Sequence, residues 1–311
     1  MKGLVIKSTG KTYFVRLEDG NEVECALKGN LRIKGFKATN PIAVGDNVMV
    51  KFNQNNDTNF ITELFPRKNY IIRRSVNLSK RTHIIASNID QAILIASIVA
   101  PRTSTGFIDR FVVTATAYNI PVIVIFNKWD LYENEDKEAV KELIELYKSL
   151  CYDSFYTSVD KNINIDIVKD ILKGKTSLLS GHSGVGKSSI INKIQPDLNL
   201  KVGDISYYNL KGTHSTSSAQ MFNLSFGGNI IDTPGLKEFG IVDIKPEELS
   251  HFFPEMKKVL WNCHFSTCTH VHEPDCAVIK GVEDGDITES RYNSYLSMLN
   301  EYYGSEPDYD K

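Results

Sequence analysis

The sequence predicts a multidomain α/β protein in which a small β-barrel, a parallel sheet covered by helices and a helical segment follow one another. Residues 1–68 contain about five short β-rich runs separated by glycine turns, with no helical pattern. From residue 91 to 232, buried strands alternate with helical patterns, which is typical of a parallel sheet. From about residue 240 the pattern is helical and is interrupted by a cysteine cluster. A chain of 311 residues is long enough for two or three domains.

The first segment combines short strands with positive charge. Strands are predicted around 4–6, 12–17, 22–25, 48–50 and 60–64, and a small barrel of the OB type would present a basic face to oligonucleotides. Residues 1–82 carry 15 Lys or Arg against 7 Asp or Glu, whereas the rest carries 21 against 31. A basic module joined to an acidic body indicates a polyanionic partner, although a solvated lysine-rich surface explains the charge equally well.

The later segments supply alternating and then purely helical elements. In the second segment we predict strands and helices at 91–98, 108–119, 121–126, 135–150 and 176–180. The third segment predicts two helices, 246–261 and 287–303. The resulting domain boundaries are 1–68 for the barrel, 69–239 for the α/β domain with a basic connector at 69–82, and 240–311 for the helical domain.

A glycine-rich loop follows the predicted strand 176–180 and precedes a helical pattern. Residues 181–188 match GxxxxGK[ST], and this context separates a phosphate-binding loop from an ordinary glycine turn. Backbone N–H groups would surround the phosphates, Lys187 would reach the β- and γ-phosphates, and Ser188 would ligate Mg²⁺. The predicted nucleotide-binding residues of this loop are Gly181, His182, Ser183, Gly184, Val185, Gly186, Lys187, Ser188 and Ser189.

An acidic element lies at the end of the apolar run 229–231. Asp232 would hold Mg²⁺ through water, and the backbone N–H of Gly235 would contact the γ-phosphate. Asp-x-x-Gly alone is a common turn. Its position at a strand end, downstream of the phosphate loop, favours a second metal element.

The sequence Asn127-Lys128-Trp129-Asp130 follows the predicted strand 121–126 and predicts which base is bound. The Asp130 carboxylate offers two acceptors to the N1–H and N2–H₂ donors of guanine, whereas adenine would leave them unpaired. Asn127 would support the loop, the Lys128 stem would cover the ring, and the N–H of Ser158 would reach guanine O6. An isolated motif of this kind is usually a surface turn, but beside a phosphate loop it favours GTP over an ATP-dependent kinase.

The order of these motifs is unusual, because the base-recognition motif precedes the phosphate loop. The chain therefore resembles the circularly permuted GTPases, and specifically the ribosome small-subunit-dependent GTPase A family, over nearly its whole length. Two further family signatures are Val-Gly-Asp-Asn-Val at 44–48 and Lys-Gly-Thr-His-Ser-Thr-Ser at 211–217. The resemblance implies an N-terminal OB-type β-barrel, a circularly permuted P-loop GTPase domain and a C-terminal helical zinc-binding domain.

The switch sequence departs from the Gly-Arg-His-Thr-Thr-Thr that is usual in this family. Thr213 replaces the arginine, and Ser215 and Ser217 replace threonines. The resemblance assigns contact with Mg²⁺ or the γ-phosphate to Thr216.

The residue that activates water is less defined. Leu236 occupies the place where Ras-like enzymes have a water-orienting glutamine, a substitution that the family shares, and an apolar side chain predicts slow intrinsic turnover. His214 is a candidate for orienting the water, or equally a switch residue without a chemical role. The catalytic candidates are thus His214, Thr216 and Lys187, and the predicted magnesium ligands are Ser188, Thr216 and Asp232.

Three cysteines and a histidine fall within 14 residues near the C-terminus: Cys263, Cys268, His270 and Cys276. Three thiolates and one imidazole suit a closed tetrahedral zinc site, which would supply folding energy to a short loop. His264 and His272 are competing imidazoles, and the resemblance selects His270. Chance clustering of reduced cysteines is the alternative, since five cysteines without a secretion signal argue against a disulfide framework.

The sequence also predicts where the protein works. Its longest apolar run, 92–100, is too short to span a membrane, and its N-terminus lacks the apolar core of a signal peptide, so a cytoplasmic protein is expected. The resemblance implies a monomeric GTP hydrolase that binds rRNA and the small ribosomal subunit during late assembly, with one structural zinc ion and Mg²⁺ with GTP. The alternative is a non-catalytic RNA-binding module whose affinity is gated by GTP.

Overall fold

The computed structural model describes residues 1–9, 12–28, 41–53, 59–74, 82–200, 219–232 and 244–304. Within these ranges no helix is both long and apolar enough to cross a membrane.

The N-terminal strands form the predicted closed barrel. They are β1 (Lys2–Ser8), β2 (Thr12–Leu17), β3 (Glu22–Leu27), β4 (Asn47–Lys51) and β5 (Asn59–Leu64). They pair in the order β1-β2-β3-β5-β4, and β4 returns to β1 to close the barrel. Alternate residues point inward, so that Val5, Val15, Val48 and Ile61 are completely buried in one core.

A pair of β-strands that the sequence analysis did not predict begins in the basic connector and extends beyond it to residue 87. Its strands are β6 (Tyr70–Arg74) and β7 (Thr82–Ser87), which pair antiparallel as a separate two-stranded sheet. Ile71, Ile72 and Ile84 are buried. Apolar burial therefore stabilises the two described strands.

The central sheet confirms the predicted α/β architecture. Its strands are β8 (Gln91–Ala96), β9 (Val122–Phe126), β10 (Asp153–Tyr156), β11 (Thr176–Ser180), β12 (Gln220–Asn223) and β13 (Asn229–Asp232). They pair in the order β10-β9-β8-β11-β13-β12, and all are parallel except β12, which runs antiparallel to β13. At the far edge β12 also pairs with β1, through Lys7 and Gln220, so the barrel continues the same sheet.

Helices cover both faces of this sheet. They are α1 (Thr105–Ala117), α2 (Asn134–Ser149), α3 (Ile165–Leu172) and α4 (Lys187–Ile194). Helix α1 begins where the Ser104 hydroxyl accepts a hydrogen bond from the N–H of Phe107. Helix α2 buries Val140, Ile144 and Tyr147, which have helical spacing. Separate apolar clusters on the two faces complete the three-layer arrangement.

The predicted single helix over 246–261 is wrong. The chain instead forms a 3₁₀ helix at Pro246–Phe252, helix α5 (Pro254–Val259) and a 3₁₀ turn at Leu260–Asn262. Phe253 is extended, with φ −101° and ψ 106°, because the ring of Pro254 disfavours helical geometry in the residue before it. Helix α6 (Ala277–Glu283) follows the cysteine cluster, and α7 (Glu289–Gly304) confirms the second predicted helix.

The Val-Gly-Asp signature at 44–46 fixes the barrel against the α/β domain. The buried Asp46 carboxylate accepts hydrogen bonds from Arg67, from the Ser87 hydroxyl and from the N–H of Ala43. Gly45 has φ +92°, and any β-carbon there would collide with the Ser87 carbonyl oxygen. The motif therefore has a docking role between the two domains.

A buried ionic network joins the C-terminal helices to α1. Arg291 of α7 donates to Asp109 of α1 at 2.6 Å and to Glu255 of α5 at 2.7 Å. Asp109 also accepts hydrogen bonds from Tyr147 and Ser294. Burial alone would lower the pKa of the Arg291 guanidinium, but the two carboxylates outweigh it and raise the pKa. The helical domain is thus held to α1 by charges that are out of contact with water.

Candidate functional site

The predicted nucleotide loops lie at one edge of the central sheet. The base-recognition motif follows β9, Ser158 follows β10, the phosphate loop follows β11, and Asp232 ends β13. These strands are parallel, so their carboxyl ends share an edge, where open α/β sheets bind ligands.

The phosphate loop contains three glycines in backbone conformations that other residues rarely adopt. Gly181, Gly184 and Gly186 all have positive φ, and the loop leads into α4 with Lys187 as its first residue. The Lys187 ammonium donates to the carbonyl oxygens of Gly181 and His182 at 2.7 and 2.8 Å. The lysine is therefore folded over the same loop whose N–H groups would receive phosphate.

Asn127 connects the base-recognition motif to the phosphate loop. Its buried side chain donates to the Val185 carbonyl oxygen at 2.8 Å and accepts from the Thr157 hydroxyl at 3.0 Å. The amide also approaches Gly186 so closely that a β-carbon there would collide with it. One residue thus holds three loops together. Thr157, which the sequence analysis did not assign, completes this link.

The carboxylate that would recognise guanine is held by the neighbouring loop. The Ser158 hydroxyl donates to Asp130, while the N–H of Ser158 donates to the Ile163 carbonyl oxygen at 3.2 Å. Contact between that N–H and guanine O6 would require this backbone bond to open. Behind Asp130, the Trp129 ring stacks on Tyr156 with centroids 3.9 Å apart. The stack fixes the motif to the end of β10.

The magnesium and switch residues are only partly described. Ser188 is buried in the first turn of α4, and Asp232 pairs across the ladder with Leu179, two residues before the phosphate loop. Asp232 therefore ends the strand beside β11, and Ser188 lies in the helix that follows the phosphate loop after β11. The remaining predicted residues, His214, Thr216 and Gly235, lie outside the described residues, as does Leu236.

The loop between β8 and α1 contacts both nucleotide loops, which the sequence analysis did not foresee. The Ala100 carbonyl oxygen accepts from Lys128, and Pro101 lies over Gly184, where a β-carbon would be 3.6 Å away. Apart from its proline this loop has no motif. Only the three-dimensional neighbourhood shows that it belongs to the site.

The cysteine cluster has the dimensions of a tetrahedral metal site. The candidate ligand atoms of Cys263, Cys268, His270 and Cys276 all lie within 4.8 Å of one another. The Cys263 and Cys276 sulfurs are 4.0 Å apart, and His270 Nδ1 lies 3.6 and 3.4 Å from them. Around zinc, roughly 3.8 Å between sulfurs and 3.5 Å between sulfur and nitrogen are expected. The cluster can hold a metal ion, and the competing His264 and His272 are exposed.

Hydrogen bonds around the cluster fix its loop. Glu273 accepts from both the N–H and the hydroxyl of Thr269 at 2.6 Å, and Tyr292 donates to the His270 carbonyl oxygen at 2.8 Å. Burial favours a raised pKa for the Glu273 carboxyl, but these hydrogen bonds outweigh it and hold the pKa below its usual value. The loop that carries the candidate metal ligands is thus also held to α7 by a hydrogen bond.

Comparison with known proteins agrees with this arrangement. Residues 64–242, more than half of the chain, match the family model described as RsgA GTPase, and residues 2–61 match RsgA N-terminal domain. The chain belongs to the RsgA GTPase family. It is a circularly permuted GTPase with an N-terminal barrel.

The RsgA relatives match over almost their full length. The chain is 54% identical over 299 residues to the small ribosomal subunit biogenesis GTPase RsgA of Phocaeicola vulgatus, covering 96% of each chain. The protein of the same name from Flavobacterium johnsoniae is 49% identical, with 96% of this chain and 93% of the relative covered.

Solved structures share the RsgA architecture. The crystal structure of YjeQ from Thermotoga maritima aligns with a TM-score of 0.77 and 37% identity, covering 98% of this chain and 99% of the other. YloQ, described as a circularly permuted GTPase, aligns with a TM-score of 0.73 and 29% identity, covering 99% and 96%.

Proposed function

We propose that this protein hydrolyses GTP as a maturation factor of the small ribosomal subunit. The observation that carries the nucleotide assignment is the link through Asn127, which joins the phosphate loop to the loop bearing Asp130. In a nucleotide held by both loops, the base is recognised as guanine by Asp130 and the γ-phosphate lies beside Lys187. Multiple-turnover hydrolysis of GTP, measured with and without small ribosomal subunits, tests the proposal.

The proposed site residues have two roles, recognition of the base and stabilisation of the charge on the phosphates. Asp130 accepts the two guanine donors, and Lys187 with the loop N–H groups neutralises the phosphates. Ser188 and Asp232 would hold Mg²⁺, which would supply positive charge to neutralise the phosphates. The family resemblance assigns contact with Mg²⁺ or the γ-phosphate to Thr216, and the Asp-x-x-Gly motif assigns contact with the γ-phosphate to the N–H of Gly235. His214 is a candidate for orienting the water, or equally a switch residue without a chemical role.

The partner follows from the relatives and from charge. The RsgA relatives are named for biogenesis of the small ribosomal subunit. An excess of 15 basic over 7 acidic residues within 1–82 suits contact with rRNA. We therefore assign rRNA binding to the barrel and to strands β6 and β7, place the protein in the cytoplasm with ribosomes, and assign it a monomeric state.

The domain boundaries proposed are 1–68, 69–239 and 240–311. The first of these lies between β5 and β6, and the sheet runs across it through β1 and β12. The hydrogen bond from the Ser87 hydroxyl to the Asp46 carboxylate crosses it as well. The barrel is therefore proposed as a module that acts with the GTPase domain and not as a freely hinged one.

Exposed barrel lysines should set the salt dependence of subunit binding. Lys28 and Lys51 flank β5 at one end of the barrel, and both are exposed. Replacing both with glutamine should lower the slope of log K against log salt by about 1.4–1.8 units, because a protein that neutralises fewer phosphates releases fewer counterions on binding. Binding to small subunits is measured at several salt concentrations with a nonhydrolysable GTP analogue.

A matched control for this prediction lies on the acidic domain. Lys141 and Lys148 of α2 are comparably exposed and pair with neighbouring glutamates. Their replacement by glutamine should leave the slope unchanged. Equal slopes for both double variants and the wild type would remove the barrel from the electrostatic interface.

We further propose that the cysteine cluster binds one structural zinc ion. Four ligands at tetrahedral spacing leave no open position for a reacting group, so the ion would stabilise the loop between α5 and α6. Zinc is favoured because its preferred ligands are thiolates and imidazoles.

Removing one ligand should abolish stoichiometric zinc. We expect one zinc per chain in the wild type and in Cys151→Ser, whose thiol is exposed and outside the cluster. Cys276→Ser should lose the metal and expose its loop to protease, since the metal supplies folding energy there. Atomic absorption and limited proteolysis are the measurements. Full zinc content in Cys276→Ser would contradict the assigned ligand set.

A further inference from the structure

The first turn of α1 lies directly against the phosphate loop. The ring of Phe107 stacks on the ring of His182, with centroids 4.2 Å apart and planes inclined by 35°. Both side chains are half-buried, and Phe107 also packs against the apolar cluster between α1 and the sheet. Aromatic pairs at this separation attract each other beyond their burial.

The backbone of His182 also helps to hold Lys187, the lysine that would bind phosphate. His182 follows Gly181, and the carbonyl oxygens of both accept hydrogen bonds from Lys187. Gly181 has φ +137°, a backbone conformation in which glycine gives the loop little steric restraint. The His182 ring is therefore a second anchor for the phosphate loop, beside the hydrogen bond from Asn127 to Val185.

The following turn of α1 is fixed to the C-terminal domain. Asp109 accepts hydrogen bonds from Arg291 and Ser294 of α7, each at 2.6 Å. Arg110, its neighbour, pairs with Glu301 farther along α7. One helix thus contacts the phosphate loop with one turn and the C-terminal domain with the next.

We propose that Phe107 is a positioning residue for the phosphate loop and that, through α1, it couples nucleotide binding to the docking of α7. The proposal rests on the proposed function, because it requires that the loop bind a guanine nucleotide. With the ring stack present, the loop is held in its binding conformation by a helix whose own position depends on α7. By reciprocity, nucleotide binding must then stabilise the contact between α1 and α7.

Two substitutions of Phe107 separate the effect of its aromatic ring from the effect of its size. Phe107→Leu keeps an apolar side chain of similar size but removes the aromatic face, whereas Phe107→Tyr keeps that face. Loss of an aromatic pair should weaken GDP binding roughly 2–10-fold in Phe107→Leu, and Phe107→Tyr should restore it. His182→Gln removes the other ring, so the double variant Phe107→Leu/His182→Gln should bind GDP no more weakly than either single variant.

Hydrogen exchange of the full-length protein, with and without GDP, tests the coupling. In the wild type and Phe107→Tyr, GDP should slow exchange of the α7 amides at 289–304. In Phe107→Leu at saturating GDP this protection should be largely lost. If Phe107→Leu is poorly folded, His182→Gln provides the same measurement from the loop side.

The outcomes are distinct from failure of the proposed function. Additive losses in the double variant, or unchanged α7 protection in a folded Phe107→Leu or His182→Gln, would overturn the coupling. The proposed nucleotide site would instead be refuted if the wild-type protein bound GDP no better than ADP. It would also be refuted if the Lys187→Ala variant bound GDP as tightly as the wild type.

Discussion

Asp130→Asn should lower the affinity for GTP by about 2–4 kcal/mol and transfer the preference to xanthosine triphosphate. The wild-type carboxylate accepts from two guanine donors, whereas an amide can donate to the carbonyl group that xanthine carries at position 2. The Trp129–Tyr156 stack and the Asn127 link do not involve the carboxylate, so the loop should keep its shape. Titration of the four nucleotides GTP, GDP, XTP and XDP measures the exchange.

The matched control is Asp170→Asn on α3, an exposed carboxylate in the same domain. It makes the same chemical change away from the site and should leave both affinities unchanged. Undiminished GTP binding by Asp130→Asn would remove Asp130 from base recognition.

Arg291→Met should destabilise the C-terminal domain by about 3–5 kcal/mol, because it leaves two buried carboxylates without their counter-ion. Asp109 and Arg291 are each 1% exposed, and Glu255 is 7% exposed. Methionine fills much of the space that the aliphatic part of the arginine occupies. The loss of stability therefore reports on the missing charge more than on the missing volume. Urea unfolding followed by Trp261, an exposed residue of this domain, gives the free-energy change.

Arg110→Ala provides the comparison for this charge effect. It breaks a second ion pair between α1 and α7, but Glu301 is largely exposed, so the loss should stay within about 1 kcal/mol. Similar losses for the two variants would mean that the buried network contributes no more than a surface pair. A triple variant with Asp109→Asn and Glu255→Gln added to Arg291→Met should recover part of the stability.

The sequence predicted those elements whose signal is local. Continuous apolar runs gave β8, β9 and β11 to within two residues at each end, and helical spacing gave α2 and α7. The helix over 246–261 was wrong because Glu247 and Glu248 indicate only where a helix begins, whereas Pro254 interrupts it. Strands β6 and β7 were not predicted because the apolar run at 70–72 is short and is followed directly by arginines, a pattern that was interpreted as a basic connector.

The site shows the same division between local and long-range information. Each nucleotide loop was predicted from a short motif that follows a strand. The contacts that assemble the loops join residues far apart in the chain: Asn127 with Val185, and Phe107 with His182. A single sequence carries no signal for such pairs, since each residue is ordinary in its own segment. The candidate metal ligands were predictable because all four lie in one short stretch of the chain.

Hydrolysis of GTP over many turnovers, with small ribosomal subunits added to the full-length protein, tests the central claim most directly. Large subunits, ATP and the Lys187→Ala variant are the controls. We expect slow turnover by the protein alone, acceleration by small but not large subunits, little hydrolysis of ATP, and loss of activity in Lys187→Ala. The contrary result would be a protein that binds small subunits in a GTP-dependent way but hydrolyses GTP no faster than the Lys187→Ala variant does. That result would favour an RNA-binding module whose affinity is gated by GTP.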